Sequence, residues 1–171
     1  MIDKNKTLCF SGHRTYNLPK SNTEVYRLSN DIYTEINKAI LNGYDTFLFG
    51  ACYGFDLMCA EQVLLRKKVV MLTDPEDIKL IAILPFEEQA SKWKESYRLK
   101  YYDILSKCDD IVMINKQYKN GCYHERNIYM VENSSKLICY YNGSEGGTKY
   151  TVDYALTQKI PVINLYKDFI G

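Results

Sequence analysis

The sequence predicts an α/β fold: an open, mostly parallel sheet of about six strands with helices on both faces. Short apolar runs recur along the chain, and segments with helical periodicity separate them. The runs are continuous rather than alternating, as in strands that are buried on both faces of a parallel sheet. With 171 residues, of which 46% are hydrophobic, the chain is expected to form a single domain over residues 1–171.

The apolar runs give the six predicted strands in order. They are Thr7–Phe10, Thr46–Gly50, Ile81–Pro85, Asp110–Ile114, Lys136–Tyr141 and Pro161–Leu165. Five apolar stripes with helical spacing fall between them, and their first residues are Val25, Leu57, Tyr97, Asn127 and Val152. A polar turn is predicted at Thr73–Lys79. Strand–helix–strand units of this kind form right-handed crossovers between parallel strands.

Composition restricts the partner classes. Twenty-two basic and 21 acidic residues leave a net charge of +1, which argues against nucleic acid as a main partner. The six cysteines form no C-x-x-C pair, and the two histidines are far apart in the sequence, so no metal site is expected. No charged-then-apolar leader and no run long enough to span a bilayer is present. A reducing cytoplasm is therefore the expected compartment, with no membrane partner.

Polar and glycine-rich segments follow the predicted strands, at the edge of an open α/β sheet where ligands bind. In chain order they are SGHRT, GACYGFD, PFEEQ, NKQYKNGCYHERN and NGSEGGT. In the first, Gly12 allows a sharp turn, and Ser11, His13 and Arg14 present polar groups at one rim. Arg14 can bind a phosphate or carboxylate through two hydrogen bonds, although a solvated polar turn is an equal alternative.

The second segment brackets a tight loop between Gly50 and Gly54, and Asp56 follows at a helix start. Backbone N–H groups in such a loop can bind an anion. Asp56 would repel phosphate but accept bonds from ribose hydroxyls. The alternative is that its carboxylate only stabilises the helix N-terminus, by about 0.3–1 kcal/mol.

The fourth and fifth segments open two more helices. Arg126 and Asn127 lie near the start of one, where a cation is unfavourable unless an anion is close or a surface acid pairs with it. Gly146 and Gly147 allow close backbone approach before the other, and Thr148 can cap that helix and donate a hydroxyl bond. Together these segments favour a phosphate-binding site over plain strand–turn–helix joints.

The order of motifs resembles the YpsA-like family of the SLOG superfamily, which also contains the DNA-processing protein DprA and the LOG nucleotide phosphoribohydrolases. The resemblance rests on GHR, G-x-x-x-G-x-D, R-N-x-x-M-V and GGT, and it covers nearly the whole chain. It implies a Rossmann-like fold with a nucleotide site at the strand ends. The site residues it implies are Gly12, His13, Arg14, Gly50, Gly54, Asp56, Arg126, Asn127, Gly146, Gly147 and Thr148, and the strand-end position adds Ser11.

The resemblance favours a sensor or regulatory module that binds a nucleotide or an ADP-ribose-like ligand. One alternative is a LOG-like nucleotide N-glycosidase. Thr151 stands where the LOG enzymes carry their catalytic Glu, so Glu125 and Asp153 are the candidates for a catalytic acid or base. A further alternative is DprA-like binding of single-stranded DNA. Helices on an open sheet are also compatible with a homo-oligomer. No cofactor other than a nucleotide ligand is implied.

Overall fold

The computed structural model describes residues 1–69 and 77–167. The described residues include six strands: β1 (Thr7–Gly12), β2 (Thr46–Phe49), β3 (Lys79–Phe86), β4 (Asp110–Asn115), β5 (Leu137–Tyr140) and β6 (Val162–Asn164). Each overlaps a predicted apolar run. The polar turn predicted at Thr73–Lys79 falls largely outside the described residues.

The described helices are α1 (Asn22–Leu41), α2 (Phe55–Lys68), α3 (Glu95–Leu105), α4 (Cys122–Glu132) and α5 (Gly147–Thr157). Local chemistry fixes the ends of α1. The Ser21 hydroxyl accepts a bond from the N–H of Glu24 at 3.2 Å, and the chain turns away at Asn42 and Gly43, as the sequence predicts. By contrast, α2, α4 and α5 follow glycines that supply no side-chain cap.

The strands form one sheet in the order β4-β3-β2-β1-β5-β6, and every neighbouring pair is parallel. The predicted open, parallel α/β fold is therefore confirmed. From β1 the chain proceeds outward through β2 and β3 to β4. It then returns through α4 to β5, on the other side of β1. The strand order reverses between β1 and β5, and such a switch point leaves a crevice at the carboxyl ends of the two strands.

Two hydrophobic layers cover the sheet. Residues of α1, α2 and α3 pack on one face, and residues of α4 and α5 pack on the other. The central strands β1, β2 and β5 are buried on both faces, as predicted. The same prediction is wrong for β4, where Ile111 and Met113 are 43% and 41% exposed, because β4 lies at the sheet edge. Among the described residues, no helix has both the length and the apolar character needed to cross a bilayer.

Candidate functional site

A cavity of about 330 Å3 lies at the switch point, and we call it the strand-end cavity. Four segments line it: the β1–α1 loop, the β2–α2 loop with the start of α2, the first turns of α4, and the β5–α5 loop with the start of α5. Its lining residues are Ser11, Gly12, His13, Arg14, Tyr16, Asn17, Cys52, Asp56, Tyr123, His124, Arg126, Asn127, Met130, Glu145, Gly146, Gly147 and Thr148.

His13 joins the ends of β1 and β5. Its backbone N–H donates to the carbonyl of Tyr140 at 3.3 Å, and its Nε2 accepts from the N–H of Asn142 at 3.0 Å. Only an unprotonated Nε2 can accept that bond, so the ring is neutral with its proton on Nδ1. Burial lowers the pKa of His13, because the charged ring would lose hydration. This neutral imidazole therefore fixes the β5–α5 loop beside the β1–α1 loop.

Two glycines allow the β1–α1 and β2–α2 loops to pack together. A Cβ on Gly12 would overlap the ring of Phe55. Gly54 has φ +107°, and a Cβ there would lie 2.7 Å from the carbonyl oxygen of His13 and 2.8 Å from the Cα of Arg14. Gly54 therefore places the start of α2 directly against the backbone that carries Arg14.

Asp56 lies in the first turn of α2 and lines the cavity while being only 6% exposed. Its Oδ2 accepts a bond from the N–H of Cys52 at 3.4 Å. Burial raises the pKa of Asp56 to about 6, and the positive charges of Arg126 and Arg14 offset only part of that rise. The carboxyl group therefore changes charge close to neutral pH.

Arg126 is a buried cation, 5% exposed, in the second turn of α4. Its Nε donates to Oδ1 of Asn127 at 2.6 Å, its Nη1 donates to the carbonyl of Gly50, and its Nη2 donates to the sulfur of Cys52 at 3.8 Å. A Cβ at position 50 would overlap the guanidinium, which explains the glycine there. Two of the five N–H groups have no partner among the described residues and are available to a ligand.

Arg14 supplies a second guanidinium at the rim of the cavity. It is half-buried, and its Cζ lies 5.3 Å from the centre of the Tyr53 ring. Stacking on an aromatic face orients a guanidinium while its edge stays free for hydrogen bonds. Arg14 comes from the β1–α1 loop and Tyr53 from the β2–α2 loop, so this contact also joins the two loops.

The start of α5 completes the cavity. Its N-cap is Gly146, with φ +141°, and Gly147 and Thr148 form the first turn. The prediction that Thr148 caps the helix is wrong, because Thr148 lies inside it and no side chain caps the N-terminus. The first backbone N–H groups of α5 thus lack a side-chain acceptor beside the cavity. At the neighbouring start of α4, the ring of His124 stacks on Tyr150 at 4.1 Å.

The structure brings ten of the twelve predicted site residues to one cavity; the other two, Gly50 and Gly54, support it without lining it. The catalytic candidates lie outside the lining. Glu125 pairs with Lys119 at 2.8 Å, and that contact lowers its pKa. Asp153 pairs with Lys149 at 2.7 Å on the exposed side of α5. The hydroxyl of Thr151 donates to the Gly147 carbonyl and is fully buried.

The predicted site omits several lining residues. They are Tyr16, Asn17, Cys52, Tyr123, His124, Met130 and Glu145. Cys52, Tyr123, His124 and Glu145 lie inside the strand-end segments, so taking whole segments would have included them. Tyr16 and Asn17 follow the first segment, and Met130 lies further along α4. No group of three or more potential metal ligands occurs in the two described stretches of chain.

An open parallel sheet with a polar cavity at its switch point defines a Rossmann-like protein. The chain belongs to the YpsA family of the SLOG proteins, because the YpsA family model, described as the YspA SLOG family, matches residues 8–166. The predicted family is thus confirmed.

Curated relatives come from several bacteria. A UPF0398 protein of Halalkalibacterium halodurans is 34% identical over 116 residues, which cover 67% of this chain and 59% of that protein. A UPF0398 protein of Macrococcus caseolyticus is 27% identical over 80% of this chain and 74% of that protein. The SPbeta prophage-derived protein YoqJ of Bacillus subtilis is 26% identical, with 64% and 68% covered. The chain thus matches about three fifths of the length of the first of these relatives.

Two solved DprA structures share the fold. DprA from Streptococcus pneumoniae aligns with a TM-score of 0.64 and 15% identity, over 99% of this chain and 53% of that one. DprA from Helicobacter pylori, whose structure concerns its binding of single-stranded DNA, aligns with a TM-score of 0.68 and 14% identity, over 99% and 69%. The prediction that nucleic acid is an unlikely partner is therefore wrong, because a DprA protein that shares this fold binds single-stranded DNA.

Proposed function

We propose that the protein binds a nucleotide, or a nucleotide-derived ligand of the ADP-ribose type, in the strand-end cavity and acts as a sensor or regulatory module. The observation that carries this proposal is the convergence of Arg14, Arg126 and the uncapped start of α5 on one cavity. Backbone N–H groups at a helix start and guanidinium groups are the donors that proteins use for phosphate.

The phosphate and the ribose of a nucleotide each have partners in this arrangement. The phosphate would accept bonds from Arg14, from the free N–H groups of Arg126 and from the first turn of α5. Asp56 would accept a bond from a ribose hydroxyl, and Arg126 and Arg14 both stabilise its negative charge. The volume of about 330 Å3 is at the lower end of the range for small-molecule sites, which suits one nucleotide unit.

Isothermal titration with AMP, ADP and ADP-ribose tests the proposal. We expect Arg14→Ala to weaken binding at least tenfold, because a charge-assisted bond contributes about 1.5–3 kcal/mol. The matched control is Arg27→Ala, since Arg27 is an exposed arginine on α1 that does not line the cavity. Absence of binding at high micromolar concentration, or equal losses in both variants, would refute the proposal.

A second candidate function is binding of single-stranded DNA. The observation in its favour is the fold shared with the two DprA proteins over nearly the whole chain. The same cavity would then bind one phosphate of a strand, and the affinity would fall as salt rises.

Fluorescence anisotropy with a labelled 20-nucleotide strand tests this second function. Binding at 50 mM salt that weakens at 200 mM and is reduced in Arg14→Ala would support it. An unchanged anisotropy at low salt would refute it and leave the free-nucleotide proposal standing.

A cytoplasmic location is part of the same proposal. All six cysteines carry free thiols in the structure, and four of them are buried. Unpaired cysteines are typical of proteins in a reducing compartment. Fractionation of cells that express a tagged chain would test the location.

A further inference from the structure

A second cavity, of about 650 Å3, lies beside the strand-end cavity. The last residue of β3, the segments after β3 and β4, and Tyr123 from the first turn of α4 form it. Its walls include the rings of Phe86, Trp93, Tyr118 and Tyr123, so we call it the aromatic cavity. None of the residues predicted from the sequence as a site lines it.

The rings of the aromatic cavity hold one another edge to face. Phe86 meets Tyr118 at 5.5 Å and Tyr123 at 5.9 Å, both with the ring planes 81° apart. Trp93 meets Tyr53, which lies outside the lining of this cavity, at 5.0 Å and 80°. Edge-to-face pairs keep the rings in place and leave aromatic surface for stacking with a flat ligand.

The charges of the aromatic cavity favour an uncharged ring over a phosphate. Two glutamates, Glu87 and Glu88, and two lysines, Lys92 and Lys116, line it, and all four are exposed. Their charges cancel and are screened by solvent. In the strand-end cavity, by contrast, Arg126 is desolvated. A phosphate would therefore be held there and a neutral aromatic group here.

Two features connect the cavities. Tyr123 lines both of them. The carbonyl of Gly50 accepts one bond from Arg126 and another, at 3.3 Å, from Nε2 of Gln89. Arg126 lines the strand-end cavity, and Gln89 lines the aromatic cavity. One ligand could thus extend past Tyr123 from the first cavity into the second.

We propose that the aromatic cavity receives a second nucleobase of the same ligand, so that the ligand contains two nucleobases joined through phosphate. This inference rests on the proposed nucleotide site and names its ligand class. The linking phosphate lies at the strand-end cavity, and the second base stacks on Phe86 and Tyr118. A free dinucleotide and a segment of a single strand share this chemistry.

Titrations with AMP, with the 5′-phosphorylated diadenylate pApA and with a ten-unit adenylate strand test the inference. We expect pApA to bind about 10- to 100-fold more tightly than AMP, the range expected for stacking one more base on aromatic side chains. Equal affinity of the strand and pApA would identify a strand segment as an accepted source. If the protein binds pApA but not the strand, the ligand is a free dinucleotide.

Tyr118→Ala separates the two sites, because Tyr118 lines only the aromatic cavity and is 65% exposed. We expect this variant to lose the pApA advantage and keep the AMP affinity. Tyr26→Ala is the matched control, since Tyr26 is 67% exposed on α1 outside both cavities. If AMP binds as tightly as pApA, or if Tyr118→Ala keeps the full affinity for pApA, this inference is wrong while the proposed nucleotide site stands. Absence of binding by all three ligands overturns the proposed nucleotide site as well.

Discussion

Replacing Asp56 by asparagine tests the electrostatics of the strand-end cavity. The pKa of Asp56 is about 6 in the folded protein against 3.8 as its ordinary value, because burial removes hydration from the carboxylate. The folded state thus binds the proton more tightly than the unfolded chain does. Stability is therefore lost as the pH rises from about 4 through 6, and the loss is complete above the folded pKa.

The size of the effect follows from the shift of roughly two pKa units. At 1.36 kcal/mol per unit, ionisation of Asp56 costs about 3 kcal/mol at pH 8 and roughly half of that at pH 5, where the shift is only partly expressed. Asparagine has nearly the same shape and does not titrate. The free energy of unfolding of Asp56→Asn should therefore rise relative to wild type by about 1 to 2 kcal/mol between pH 5 and pH 8.

Urea unfolding of both proteins at pH 5, 6, 7 and 8, followed by circular dichroism, measures this difference. Other titrating groups contribute equally to both proteins and cancel in the subtraction. A difference that stays constant over this range would show that the pKa of Asp56 is not raised in the folded protein. The conclusion that burial outweighs the charges of Arg126 and Arg14 would then be wrong.

Two further predictions concern the loops. Gly54→Ala should lower the free energy of unfolding by about 3 kcal/mol or more for two reasons. The added Cβ would meet backbone atoms of His13 and Arg14, and the alanine would have to adopt a positive φ. Gly43→Ala, also at positive φ but in open space, should lose only about 1 kcal/mol, and equal losses in urea unfolding would contradict the loop packing. As the pH falls below 6.5, wild type should lose free energy of unfolding, because His13 takes up a proton in the unfolded chain but stays neutral when buried. His13→Gln does not titrate and should lose less over the same pH range. If the free energy of unfolding changes with pH equally in both proteins between pH 5 and 7.5, His13 is not a buried neutral ring.

The fold was readable from the sequence because continuous apolar runs and helical stripes report burial directly. Strand order was not readable. The run Asp110–Ile114 is as apolar as a central strand, yet β4 lies at the edge of the sheet. Its edge position is evident only in the structure, where β4 pairs with β3 on one side and with no strand on the other among the described residues. The order of neighbours depends on long-range packing, which a local pattern does not encode.

The site was readable in outline, because parallel strands bring their carboxyl ends to one edge. The roles of individual residues were not. The sequence suggests an anion near Arg126, and it does not reveal that the guanidinium also donates to the Gly50 carbonyl. Nor does it reveal that His13, which lines the cavity, accepts a bond from the backbone N–H of Asn142. These partners lie 76 and 129 positions apart in the chain, so no spacing rule reveals them.

If separate loops form one anion-binding cavity, as we propose, backbone amide NMR of 15N-labelled protein titrated with AMP should detect ligand at both loops at once. Amide shifts should move together at Gly12–Arg14 and at Gly146–Thr148, the two loops that line the cavity from β1 and β5. Shifts confined to one of these loops, or found only around Arg27 on α1, would contradict the claim.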